Sequence, residues 1–108
     1  MKVGCDIVYL KRIDGREEAL SKGILSDKEL SLYDKAFHKR EFLGGRFAAK
    51  EAFLKAKGSG LRLTSMKNIE ILPLDSGEPV LYFEGKSYNV SISHDGDYAF
   101  AVCVLENL

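Results

Sequence analysis

The chain has 108 residues, of which 45% are hydrophobic and 30% charged, and its 16 basic and 16 acidic side chains cancel to a formal charge of zero. That length supports one compact domain, residues 1–108, and no window holds the roughly 20 apolar residues that a membrane helix needs, so a membrane span and wholesale disorder are excluded. The balance hides an asymmetry: residues 1–57 carry 13 basic against 9 acidic side chains, and residues 58–108 carry 3 against 7. A basic half beside an acidic half suits an anionic partner or ligand, whereas a duplex-binding module would show a net basic domain. The opening residues Met1-Lys2-Val3-Gly4-Cys5-Asp6 reach a carboxylate before any apolar stretch of leader length, which reads as a cytosolic protein. Cys5 and Cys103, at opposite ends of the chain, make neither a disulfide framework nor a zinc spacing and are expected to be buried thiols.

In chain order, residues 2–8 alternate as a strand, with Val3, Cys5 and Ile7 on one side and Gly4, Asp6 and Val8 on the other, so Asp6 points away from the Val-Cys-Ile face. Two modest helices are predicted over Lys11–Leu20 and Ser26–Phe37. The second opens on Ser26-Asp27-Lys28-Glu29, a capping box, and spaces Leu30, Tyr33 and Phe37 helically. The strongest helical signal is Arg40–Lys57, closed by Gly58-Ser59-Gly60. Phe42, Ala49, Phe53 and Ala56 form its apolar stripe, with Leu43, Phe47 and Leu54 beside it, while Arg46, Lys50, Glu51 and Lys55 lie elsewhere on the cylinder. Strands follow at Lys67–Pro73, Pro79–Phe83, Tyr88–His94 and Tyr98–Glu106, separated by Asp75-Ser76-Gly77, Glu84-Gly85 and Asp95-Gly96-Asp97, which predicts an antiparallel meander. The last of these is apolar at every position from Ala99 to Leu105, so both its faces need cover: helices for one, and a second subunit for the other.

Several residues carry chemistry. Arg46 and Lys50 stand four apart on the long helix, where like charges cost about 0.2 to 0.5 kcal/mol, and Glu51 follows at once. Two cations and a carboxylate from one region of a helix suit a metal-bound phosphate; the plainer alternative is a solvated face with Glu51 paired to Lys55. Asp6 is a lone carboxylate in an apolar strand. It either turns to water at the strand's end or, with Glu51, gives the one or two carboxylates that Mg²⁺ takes beside phosphate oxygens. His94 closes Val90-Ser91-Ile92-Ser93-His94, with Val90, Ile92 and His94 on one side and both serines on the other. A serine nucleophile would need a base on its own face, so this is no hydrolase triad. Gly44-Gly45 falls inside the helical pattern and is no phosphate loop.

Gly4-Cys5-Asp6-Ile7-Val8, the run Glu41-Phe42-Leu43-Gly44-Gly45-Arg46-Phe47-Ala48-Ala49-Lys50-Glu51-Ala52-Phe53, and Val90-Ser91-Ile92-Ser93-His94 together closely resemble the holo-acyl-carrier-protein synthases. These are small, homotrimeric members of the 4′-phosphopantetheinyl transferase superfamily. The resemblance spans nearly the whole chain, with Asn68-Ile69-Glu70-Ile71 and Gly77-Glu78-Pro79 where the family has a strand and a turn. It implies an α+β fold, an antiparallel sheet packed on a long helix with two shorter N-terminal helices, assembled as a trimer. It also implies transfer of the phosphopantetheine arm of coenzyme A to a serine of apo acyl carrier protein, releasing adenosine 3′,5′-bisphosphate, in fatty acid biosynthesis. By resemblance, Asp6 and Glu51 are the Mg²⁺ ligands, Arg46 and Lys50 sit beside the coenzyme A phosphates, Lys55 is a second cation near the transferred group, and His94 lines the coenzyme A site. Asp6, a water on the metal or another group could take the serine proton. Carrier proteins are acidic and dock on the family's first helix, here offering Lys11, Arg12 and Arg16. Lys2 replaces a glycine that many members carry there, and the short segment His38-Lys39-Arg40 leaves both Lys39 and Arg40 as candidates for a phosphate contact. A non-catalytic module binding coenzyme A or a carrier domain is the alternative. A nucleic-acid binder would need Phe42, Phe47 and Phe53 exposed for stacking, and their spacing places them in the core.

Overall fold

The structure, a computed structural model, describes residues 1–58 and 65–106. Strand β1 (Lys2–Tyr9) runs through a 3-10 turn at Leu10–Arg12 into helices α1 (Glu17–Ile24), α2 (Asp27–Lys35) and α3 (Lys39–Lys57). A second 3-10 turn at Met66–Asn68 precedes β2 (Glu70–Pro73), β3 (Pro79–Phe83), β4 (Lys86–Asp95) and β5 (Tyr98–Leu105). The strands form one antiparallel sheet in the order β1-β5-β4-β3-β2. The expected meander is therefore present, and β1 joins it beside the last strand.

The long helix begins one residue before the expected start and lies across β1, β5 and β4. Its inner face buries Leu43, Ala48, Ala49, Ala52, Phe53 and Ala56 against Ala99, Ala101, Cys103 and Leu105 of β5. Helix α3 ends at Gly58, whose φ of 99° is open to glycine at little cost; Ser59 and Gly60 of the expected cap lie outside the described residues. Glycine has a second use at Gly4, where an added Cβ would collide with the carbonyl oxygen of Ala52. With hydrogen there instead, β1 lies directly on α3.

The alternation of β1 sets Asp6 away from the Val-Cys-Ile face as expected: Gly4, Asp6 and Val8 turn inward, with Gly4 and Val8 buried and Asp6 partly so, while Val3, Cys5 and Ile7 face outward. Three expectations are corrected. Cys5 is accordingly exposed, whereas Cys103 is buried and its thiol is pushed up to about 11 by that burial. The helix expected over Lys11–Leu20 begins only at Glu17, because the chain turns at Gly15, φ 82°. Phe37, expected to continue the stripe of α2, is fully exposed past the helix's end at Lys35.

The capping box of α2 forms as expected: Ser26 Oγ accepts from the Glu29 amide at 3.2 Å, and Glu29 Oε1 accepts from the Ser26 amide at 3.0 Å. The same carboxylate is fully buried and does more. Its Oε1 accepts from Lys50 Nζ at 2.6 Å and its Oε2 from the Ile71 amide of β2 at 2.9 Å. Lys50, also fully buried, donates further to the carbonyls of Ile24 at 2.5 Å and Met66 at 2.9 Å. Burial pushes its ammonium below the ordinary 10.5, against the opposing pull of Glu29.

Removing one member of such a pair leaves a buried uncompensated charge. Glu29→Gln is expected to cost about 3 kcal/mol in denaturant unfolding near neutral pH. Lys50 titrates below 10.5 when folded, so in the interval under that value the unfolded chain binds more protons and stability rises with pH. Loss of the carboxylate lowers the folded value further, so the deficit of the variant against the parent protein shrinks as the pH is raised toward 10.5; a deficit independent of pH would assign the penalty to another group.

Candidate active site

A pocket of about 590 Å³ opens where β1, the Leu10–Arg12 turn, α1 and α3 meet. Asp6 from β1 and Glu51 from α3 both line it, with Arg12 and Arg16 on the opposite element and Leu20 and Phe47 supplying apolar wall. Position 6 reaches this pocket because Gly4, two residues earlier on the same face, lets the strand touch α3. Position 51 reaches it because it lies beside the buried stripe, on the half-buried flank of the helix.

Asp6 is held by Lys55, whose Nζ donates to Asp6 Oδ1 at 3.0 Å and to the Cys5 carbonyl at 3.1 Å. That hydrogen bond holds the exposed ammonium of Lys55 above its ordinary value. Lys55 therefore pairs across to β1 instead of with Glu51 on its own helix. Among the described residues no group of three or more His, Cys, Asp or Glu side chains forms a metal cage. Two carboxylates from separate elements are a hard-oxygen donor set that suits Mg²⁺, a cation that takes its remaining positions from water and substrate phosphates.

Lys50 departs from the exposed position expected for it: its three donors are spent on Glu29, Ile24 and Met66, and none is left for a phosphate. Arg46 is also largely buried, with its guanidinium stacked 3.8 Å from the Phe42 ring centroid, one terminal nitrogen donating to the Ile71 carbonyl at 3.2 Å, and Nε 3.9 Å from Glu29 Oε2. Its buried Nε has no hydrogen-bond partner among the described residues, and burial pushes its pKa below the ordinary value against the pull of Glu29. The like-charged pair Arg46 and Lys50 is thus explained by one carboxylate lying between them. Pattern reading placed Glu29 only in the capping box; the signal that could have extended it was the unpaired Arg46–Lys50 repeat, which asks for a buried acid.

His94 is exposed and does not line this pocket. Its Nε2 lies 2.9 Å from the Glu41 carbonyl, so that nitrogen carries the hydrogen, and the imidazole passes over Gly45, where an added Cβ would stand 3.0 Å from Nε2. Lys11, Arg12 and Arg16 are all exposed; the first two lie in the 3-10 turn and Arg16 immediately precedes α1. Lys39 donates to the carbonyls of Tyr33, Asp34 and Ala36 and closes α2, whereas Arg40 pairs with Asp14 and Asp97.

The chain is similar over nearly its whole length to proteins of known activity. A holo-[acyl-carrier-protein] synthase of Streptococcus equi subsp. zooepidemicus is 39% identical over 108 residues, covering 95% of this chain and 91% of that one. The corresponding synthase of Bacillus subtilis is 43% identical over 115 residues, covering 98% and 95%. The crystal structure of a holo-(acyl-carrier-protein) synthase from Bacillus anthracis in complex with CoA (3′,5′-ADP) superposes with a TM-score of 0.84 at 34% identity, covering 94% of this chain and 92% of that one. The pattern of the 4′-phosphopantetheinyl transferase superfamily matches residues 2–103, and the chain belongs to that superfamily, as an enzyme of its holo-[acyl-carrier-protein] synthase branch.

Proposed function

We propose that one domain, residues 1–108, transfers the 4′-phosphopantetheine group of coenzyme A to a serine of apo acyl carrier protein, in a Mg²⁺-dependent step of fatty acid biosynthesis in the cytoplasm. The observation that carries this is the shared pocket, lined by Asp6 and Glu51, two carboxylates suited to a metal ion, and by Arg12 and Arg16, two cations suited to an acidic carrier. The carrier's serine oxygen forms a bond to phosphorus, the bond from that phosphorus to the departing adenosine 3′,5′-bisphosphate breaks, and the serine proton passes to a base, a place that Asp6 or a water would fill. The bound cation supplies charge neutralisation at the pyrophosphate.

The chain's own residues divide the remaining work. Asp6 and Glu51 would hold the cation from two elements that Gly4 brings together. Lys55, hydrogen-bonded to Asp6, would set its ammonium beside the transferred group. Arg46 and His94, on the α3 and β4 side, would take coenzyme A; the exposed imidazole of His94 supports that assignment. Lys50 would act only through the frame it builds with Glu29.

The enzyme is proposed to work as a homotrimer with its sites between subunits. One face of the β1–β5 pair carries Val3 opposite Val104, Cys5 opposite Val102, Ile7 opposite Phe100 and Tyr9 opposite Tyr98. Val3, Ile7, Tyr98 and Phe100 are 59%, 61%, 49% and 40% exposed, an apolar sheet face that a second copy would cover.

Intact mass spectrometry of apo acyl carrier protein incubated with the enzyme, coenzyme A and Mg²⁺ is expected to show the gain of one phosphopantetheine, abolished by EDTA. Asp6→Ala and Glu51→Ala are each expected to lower the rate at least about 100-fold with the trimer retained; full activity in both would remove the proposed metal site. Phe100→Asp places a charge at the centre of the apolar face, and sedimentation is expected to show a folded monomer with little transfer activity. A trimer that survives this substitution would place the subunit contact elsewhere.

A further inference from the structure

Arg40, in the first turn of α3, joins two carboxylates that are distant in the chain. One terminal nitrogen donates to Asp14 Oδ1 and Oδ2 at 3.4 and 3.3 Å, and the other to Asp97 Oδ1 at 3.2 Å. Asp97 lies in the turn between β4 and β5. Its backbone carbonyl accepts from the Leu10 amide at 2.7 Å, and its Oδ2 stands 3.7 Å from Lys11 Nζ. The start of α3, the β4–β5 turn and the segment between β1 and α1 therefore meet on one guanidinium.

That segment carries Lys11, Arg12 and Arg16. Its apolar side is anchored by the buried Leu10 and Ile13; its helix begins only at Glu17, and before that point the backbone is held by turn bonds from the Ile13, Asp14 and Arg16 amides to the Leu10, Lys11 and Ile13 carbonyls. Asp14 lies within it. Exposed ion pairs contribute little singly, but an unpaired carboxylate placed among cations draws the nearest one onto itself. With Arg40 present, four cations (Lys11, Arg12, Arg16 and Arg40) face two carboxylates (Asp14 and Asp97). Without it, the cluster loses half its net positive charge, Asp97 keeps only Lys11 at 3.7 Å, and Asp14 is left to draw on the neighbouring cations of its own segment.

We propose that Arg40 is a positioning residue for carrier-protein docking: by neutralising Asp14 and Asp97 it ties the Lys11–Arg16 segment to the start of α3 and leaves Arg12 and Arg16 available to an acidic partner at the mouth of the Asp6–Glu51 pocket. The role rests on the carrier-transfer function proposed above. It also separates Arg40 from Lys39, whose ammonium closes α2 on three carbonyls.

The test is steady-state kinetics of the full chain with apo acyl carrier protein, coenzyme A and Mg²⁺, varying each substrate in turn. Arg40→Gln is expected to raise KM for the carrier about five-fold, with kcat and KM for coenzyme A within about two-fold of the parent. Asp14→Asn added to Arg40→Gln restores the net charge of the cluster and is expected to return the carrier KM to within about two-fold of the parent; a general loss of structure would not be repaired this way. Arg40→Lys, whose single ammonium cannot bridge both carboxylates, is expected to raise carrier KM about two-fold, and it carries the test if the glutamine variant fails to fold. An unchanged carrier KM overturns the role. So does a rise confined to the coenzyme A KM, which would make Arg40 a phosphate contact, and so does failure of the second substitution to repair the first. If the parent protein itself leaves the carrier unmodified, the transfer function falls and the positioning role with it; parent turnover with an indifferent Arg40→Gln removes only the role of Arg40.

Discussion

The buried carboxylate of Glu29 is the point on which the architecture turns. It accepts from the Ser26 amide that starts α2, from Lys50 at the centre of α3 and from the Ile71 amide of β2, with Arg46 close by. Lys50 extends the same node to the carbonyls of Ile24 and Met66. Desolvating an ammonium and a carboxylate is costly, and it is tolerated here because the hydrogen bonds around both groups are made. An apolar pair could fill the volume, but it could not satisfy the Ile71 amide or the Ile24 carbonyl. The ion pair thus fixes which way α2 and β2 lie against α3, and with them the rotation of the helix that presents Glu51.

Function is distributed around that helix by rotation. The Lys50 direction points to the interior and is structural. One residue on, Glu51 points to the pocket shared with Asp6, and Lys55 reaches across to β1. Arg46, one turn before Lys50, lies on the side of Lys50 away from Glu51, its guanidinium clamped on Phe42 and its Nε without a partner among the described residues. Adjacent charged residues of one motif therefore serve different purposes, and a motif read as a block of phosphate-binding cations conceals that division.

Local chemistry made much of the fold legible. The capping box at Ser26–Glu29, the long helix from its density of Ala, Leu, Lys and Glu, and the strands around Glu84-Gly85 and Asp95-Gly96-Asp97 all rest on neighbours a few residues apart. Residue chemistry offered Asp6 with Glu51 as one of two alternatives and the resemblance favoured it; the two side chains line one pocket. What was not legible depends on distant partners. Lys50 looks exposed unless Glu29, 21 positions away, is known to face it. The two faces of β1 are both apolar enough to be buried, and the choice falls to Gly4 because only hydrogen fits against Ala52. The more hydrophobic face, Val3, Cys5 and Ile7, is the outward one, which is the reverse of what hydrophobicity within one subunit selects.

The pairing of β1 has a consequence for the order of assembly. Its one neighbour in the sheet is β5, in a register that sets Asp6 opposite Ala101. During synthesis the first strand emerges long before its partner, so Asp6 has no sheet to lie in while α1, α2 and α3 are already outside the ribosome. Contacts this distant in sequence close late and slow the overall reaction. The sheet position of β1 is therefore completed among the last events of folding, and until β5 arrives only the contact of Gly4 with α3 can hold Asp6 near Glu51.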